Sequence, residues 1–332
     1  MWAALSGRPI FLWSNTMKGK FYIAAAAVAL LTAGTASAQF LGKEENSVTA
    51  PRMPMQYWSA KPTDMTPYVA PNKPHWILSE ILATHKGQTD WVQPIVRNRE
   101  QDADYISLGA GKTQKARFYA DDRVVFIVWD GRLKVSIEGK DPFVATKGFM
   151  VNIPYRNVYT LQTLGDKPSL RFEVRQAGSP PLYPATETPD PFPGVTYLKV
   201  TGAPGPNKDK DSNPTYVDFF KQVAIDNKTY SDKFVWDDHF TCNILRGPAA
   251  PVPPETNKGH FHVDWTEFWF VMEGSIGIKI EGVPYFNTQP GDIITAAQGR
   301  WHRAGDDPSA PMSTRIPFNP RPTIMHNFEI AN

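Results

Sequence analysis

Between Gly259 and Gly274 the chain reads Gly-His-Phe-His-Val-Asp-Trp-Thr-Glu-Phe-Trp-Phe-Val-Met-Glu-Gly, and three of these residues could do metal chemistry: His260, His262 and Glu267. Residues two apart in an extended strand project to the same side, so His260 and His262 can present two imidazoles together. Glu267 opens the next strand-like run and can add a carboxylate oxygen. Further on, Pro290-Gly291-Asp292 and then Gln298-Gly299-Arg300-Trp301-His302 can deliver a third imidazole from another strand. Three neutral imidazoles and one carboxylate form a mixed nitrogen and oxygen set suited to Fe(II), Mn(II), Ni(II), Cu(II), Co(II) or Zn(II). An octahedral ion held by four protein donors keeps two positions open, which is the arrangement of a catalytic rather than a structural site.

Neighbouring residues carry two readings each. Trp269 and Val271 share the inward parity of Glu267, so Trp269 either stacks on a planar substrate or fills the core. Arg300 shares the parity of His302 and either pairs with a substrate carboxylate or enolate or is solvated at the surface. Asp264 either orients an imidazole N–H, as metal-bound histidines generally require, or is a solvated turn residue. His239 and His326 have no place in the pattern and read as hydrogen-bonded polar residues or as an acid or base. Cys242, the only cysteine, lies in an alternating stretch and reads as a buried, inert thiol; alone, it allows no intramolecular disulfide.

These residues must be positioned by strands. From about Asp104 the sequence turns to short runs dominated by β-branched and aromatic residues: Val124 to Trp129, Leu133 to Ile137, Phe149 to Ile153 and Leu170 to Val174. Asp130-Gly131 predicts a hairpin turn between the first two. Residues 177–214 are punctuated by Pro, Gly, Asp and Lys and read as a linker. A second strand-rich region follows, with Phe268 to Met272, Ser275 to Ile280 and Ile293 to Ala296 as its clearest members. The two regions repeat each other: Gly131 stands where Gly274 stands, and Gly148 where Gly291 stands. An internally duplicated antiparallel β-barrel is the economical reading.

The spacing His-x-His, four residues, Glu, six residues, Gly, with Gly291, Gly299 and His302 beyond it, resembles the two motifs of the cupin superfamily. Ala297 and Pro254 replace a Pro and a Gly of those motifs, and both are turn positions. The resemblance covers about residues 105–315. It implies an all-β fold of two tandem cupin (double-stranded β-helix, or jelly-roll) barrels, with a barrel at 104–176 and a second, metal-binding one at 215–332. Aligning the halves puts Arg117, Tyr119 and Val124 opposite His260, His262 and Glu267, and Tyr159 opposite His302. The first barrel then reads as metal-free, serving folding or the pairing of two copies.

The resemblance to bicupin dioxygenases implies an oxidoreductase binding Fe(II), with O₂ as co-substrate and an enol, diketone or phenolic small molecule as substrate. The alternatives are an O₂-independent decarboxylase, lyase or isomerase acting on a small organic acid or sugar-like molecule, and a metal-stabilised binding protein. At the N-terminus, Met17-Lys18-Gly19-Lys20, an apolar run from Phe21 to Ala33 and Ala36-Ser37-Ala38 predict a signal peptide cut before Gln39, starting at Met17 or within a longer segment from Met1. The expected location is secreted or periplasmic, with no membrane span after cleavage. Residues 39–103 read as a Pro- and Trp-rich arm that wraps the first domain, with a short helix around Trp76 to Ala83. With a formal net charge of +2 and no basic run, nucleic acid is excluded as a partner.

Overall fold

The structure, a computed structural model, describes residues 61, 64–191, 194, 196–199, 211–237, 241–248, 259–306, 309–320 and 327–328. The expected signal peptide, His239 and His326 lie outside the described residues. In chain order the first half contains β1 (His75–Trp76), α1 (Leu78–Thr84), β2 (Trp91–Arg97), β3 (Gln101–Leu108), β4 (Val124–Asp130), β5 (Leu133–Ile137), β6 (Phe143–Ala145), β7 (Phe149–Ile153), β8 (Tyr159–Thr163) and β9 (Ser169–Gln176). The second contains β10 (Tyr216–Asp218), α2 (Phe219–Gln222), β11 (Tyr230–Trp236), β12 (Thr241–Pro248), β13 (His260–Phe261), β14 (Glu267–Glu273), β15 (Ile276–Ile280), β16 (Val283–Asn287), β17 (Ile293–Ala296), β18 (His302–Asp306), β19 (Met312–Asn319) and β20 (Asn327–Phe328).

Each half builds one large and one small sheet. The large sheets have the orders β2-β3-β9-β4-β7-β10 and β11-β12-β19-β14-β17-β1, the same path traced twice. The small sheets are β6-β5-β8 and β16-β15-β18-β13-β20. All pairings are antiparallel, and the registers repeat residue for residue. Val124 faces Ile153 as Glu267 faces Ala296, and Ile137 faces Tyr159 as Ile280 faces His302.

The expected hairpin at Asp130-Gly131 is not one. β4 pairs with β7 and β9, whereas β5 pairs with β6 and β8, so this turn carries the chain from the large sheet to the small one. Gly131 makes that corner at φ 74°, with the Pro168–Ser169 main chain pressed where a Cβ would stand. A compact turn is common to both topologies, and only the partners of the flanking strands separate them.

Strands β4 and β14 are buried over almost their whole length because both faces are covered. Val124, Phe126 and Val128 fill the first barrel, and Trp269 and Val271 the second. The alternate residues Val125, Ile127 and Trp129 meet Phe268, Phe270 and Met272 in a third cluster between the two large sheets. Phe172 sits in that seam, its ring 5.6 Å from Phe270 and 5.8 Å from Phe318. Tyr105 donates its phenol hydrogen to the Gly291 carbonyl across the same seam. Cys242 is also buried there, and burial pushes its thiol well above the usual range. A thiol-specific reagent is expected to leave Cys242 unmodified in the native protein and to label it stoichiometrically in denaturant.

The arm does not simply wrap the first domain. β1 pairs with β17 of the second barrel, and Tyr68 donates to the Thr295 carbonyl at 2.7 Å. His75 Nε2 lies 2.9 Å from an Asp292 oxygen, and the Leu78 N–H donates to the other at 3.0 Å. Asn72 exchanges two hydrogen bonds with the Arg97 main chain, tying the same segment to the first barrel. Strands β2 and β3, within or next to the stretch read as arm, belong to the first large sheet. Among the described residues, no helix is long and apolar enough to cross a membrane.

Candidate metal centre

β13 supplies His260, and His262 follows directly after it; β14 begins with Glu267; β18 begins with His302. His260 and His302 are direct cross-strand partners, so their imidazoles meet with ring centroids 4.5 Å apart. Glu267 Oε2 lies 2.9 Å from His302 Nε2, 3.2 Å from His262 Nε2 and 3.8 Å from His260 Nε2. One ligand atom from each of the four residues lies within 4.8 Å of the others, and all four side chains are buried. Donors about 2.1 Å from a shared ion stand about 3–4 Å apart, so this spacing suits a single cation.

Proton placement supports the fit. His302 Nδ1 is 3.0 Å from the Arg300 carbonyl, an atom that only accepts, so Nδ1 carries a proton there and Nε2 is the nitrogen turned toward Glu267. Burial alone would raise the Glu267 carboxyl, but contacts with His260, His262 and His302 hold it well below the usual carboxylate range. The residues present therefore could hold a divalent metal.

The remaining expected site residues divide. Trp269 is 1 % exposed, lies inside the barrel with its ring 5.6 Å from that of His302, and keeps its indole N–H without a partner. Arg300 is neither solvated nor aimed at a substrate. Its Nε and Nη2 donate to the Thr66 carbonyl at 3.1 and 2.9 Å, its Nη1 to the Glu281 carbonyl at 2.6 Å, and its plane lies over Tyr68. Parity placed it beside His302 in sequence, but the arm had already covered that face. Replacing Arg300 with alanine is expected to cost about 2 kcal/mol, through carbonyls left unsatisfied, and to make the arm protease-sensitive, with metal content unchanged. Chemical denaturation and limited proteolysis check this. Asp264 is exposed on the bend after His262 and makes no contact with an imidazole; the Arg300 carbonyl orients His302 instead.

Three residues were missed. Trp265 stacks on His262 at 3.8 Å between ring centroids. Arg315 and Asn319 reach the barrel interior from β19, where Arg315 is opposite Val271 and lies over the Trp269 ring. Asn319 is buried with its amide unpartnered. In the first barrel the expected substitution holds in space: Arg117 bridges to Tyr159 as His260 does to His302.

Two jelly-roll barrels in this order, traced twice along one chain, are the bicupin fold. The sequence matches no protein-family model and no curated protein. Among solved structures, the chain is similar to a salicylate 1,2-dioxygenase from Pseudaminobacter salicylatoxidans at 11% identity, covering 74% of this chain and 83% of that one with a TM-score of 0.55. A cupin 2 conserved barrel domain protein from Leptotrichia buccalis matches at 11% identity over 74% of this chain and 96% of that one, TM-score 0.49. An oxalate decarboxylase from Bacillus subtilis matches at 11% over 75% and 76%, TM-score 0.44. At these identities the likeness is one of fold.

Proposed function

We propose that this protein is an exported, metal-dependent oxidoreductase, a dioxygenase acting on a small enol, diketone or phenolic substrate, with His260, His262, Glu267 and His302 holding Fe(II). The observation that carries this reading is the convergence, among the described residues, of four buried donors within 4.8 Å in the second barrel, with a carboxylate held in its ionised form by the imidazoles around it. A divalent ion held by these four residues would supply Lewis acidity and, as iron, redox chemistry with O₂.

The chain supplies the rest. Trp265 stacks on His262 and fixes its ring plane, and the Arg300 carbonyl fixes that of His302. The unpartnered Trp269 N–H and the Asn319 amide offer hydrogen bonds to substrate oxygens within the barrel. Arg315, buried with its guanidinium over the Trp269 ring, forms part of the barrel wall beside these groups. The salicylate dioxygenase of the same fold is a precedent for a phenolic acid. The test is to load the mature chain with Fe(II) anaerobically and screen phenolic acids, diketones and enols with an oxygen electrode. Stoichiometric O₂ uptake with one substrate is expected; turnover without O₂ consumption would overturn the dioxygenase assignment.

A further inference from the structure

The interior of the first barrel repeats the geometry of the metal centre with none of its ligands, and what replaces them is rich in hydrogen-bond donors. Arg117 takes the place of His260 and Tyr159 that of His302, with each main chain bonded to the other. Arg171 stands opposite Val128 as Arg315 stands opposite Val271, so it also points inward. Both Tyr159 and Arg171 are almost fully buried, at 1% and 3% exposure.

Several of these donors have nothing to bond. Arg171 gives Nε to Glu173 at 2.8 Å and Nη2 to the Gln114 amide oxygen at 2.9 Å, but its Nη1 is unpartnered. The Tyr159 hydroxyl, Arg117 Nε and the Gln114 amide nitrogen are likewise shut off from solvent without a partner. Burial, with Glu173 nearby, holds the Tyr159 phenol well above its usual range, so it remains an O–H donor. Glu173 belongs to this group and takes up only the Nε of Arg171, while Asp122 accepts the Gln176 N–H. Arg175 is paired with Asp104 at 2.7 Å. From the linker, Tyr183 closes over the Arg117 guanidinium at 5.8 Å.

We propose that the first barrel binds a small carboxylate anion between Arg117, Tyr159 and Arg171. A carboxylate accepts from several donors at once and pairs with guanidinium N–H groups, which is what unpartnered, buried donors on two arginines and a phenol require. Val124, Phe126, Ile153 and Leu161 pack with Tyr159 in one buried apolar cluster, surroundings that suit an organic monoanion better than a heavily hydrated phosphate. This site is separate from the metal reading and stands without it.

The probe is acetate, titrated by saturation-transfer NMR into the full chain in carboxylate-free buffer. Saturable binding is expected in the wild type and in His260→Ala, whose second barrel lacks a metal ligand. Tyr159→Phe removes only an oxygen that bonds to nothing, so its melting temperature should not fall while its acetate affinity drops about tenfold or more. Absence of wild-type binding, equal binding by Tyr159→Phe, loss of binding in His260→Ala, or preference for inorganic phosphate over acetate would each overturn the proposal.

Discussion

Replacing His260 with alanine is expected to empty the second barrel of metal and bring turnover to background. His260 is one of four donors within 4.8 Å, and its cross-strand partner is another of them, His302. Groups that merely orient metal-bound histidines are worth about 10–100-fold in metal affinity, so loss of a donor costs more. Elemental analysis after dialysis and O₂ uptake with the substrate found by screening check the two halves of this expectation. The variant should still fold, since the barrel strands do not depend on this side chain. Its melting temperature should match that of wild type stripped by a chelator, both lacking the stabilisation that a ligand at 100 times its dissociation constant confers, about 2.7 kcal/mol. Retained metal with full activity in His260→Ala would overturn the site.

Phe172→Ala is expected to cost about 3–5 kcal/mol, a large share of the roughly 5–15 kcal/mol that stabilises a typical domain. The ring is fully buried in the seam and touches Tyr105 of the first half and Phe268, Phe270 and Phe318 of the second. Cavity cost is high here because the rings on each side belong to sheets fixed by their own hydrogen bonds and cannot collapse inward. Because the seam is shared, both barrels should melt earlier and in one transition. Calorimetry checks this: a variant with two separated transitions, only one of them shifted, would show that the halves fold independently.

The metal constellation was legible because its spacing is local: two imidazoles two residues apart, a carboxylate five residues later, and glycines marking the corners. The duplication was legible for the same reason, and the alignment through Gly131 and Gly274 predicted the Arg117 and Tyr159 positions that the structure brings together. Arg315 and Asn319 were not legible. Strand β19 is buried at every residue from Met312 to Asn319, and a run without alternation hides which side chains face the barrel. Arg300 misled because parity predicts a direction but not a neighbour, and two of its neighbours, Thr66 and Met65, lie more than 230 residues upstream. The Asp130-Gly131 turn carried no information about which sheet its second strand joins.

The exchange of edge strands gives the molecule a further property. β1, from ahead of the first barrel, completes the second large sheet against β17, while β10, from just before the second barrel, completes the first against β7. Each half thus holds the other's last rung. A single barrel expressed by itself would present a bare row of backbone N–H and C=O groups along β7 or β17, an open template for aggregation. The two barrels therefore cannot be parted without baring an edge, and the first holds its place in the fold through this clasp, with none of the second barrel's four ligands in its interior.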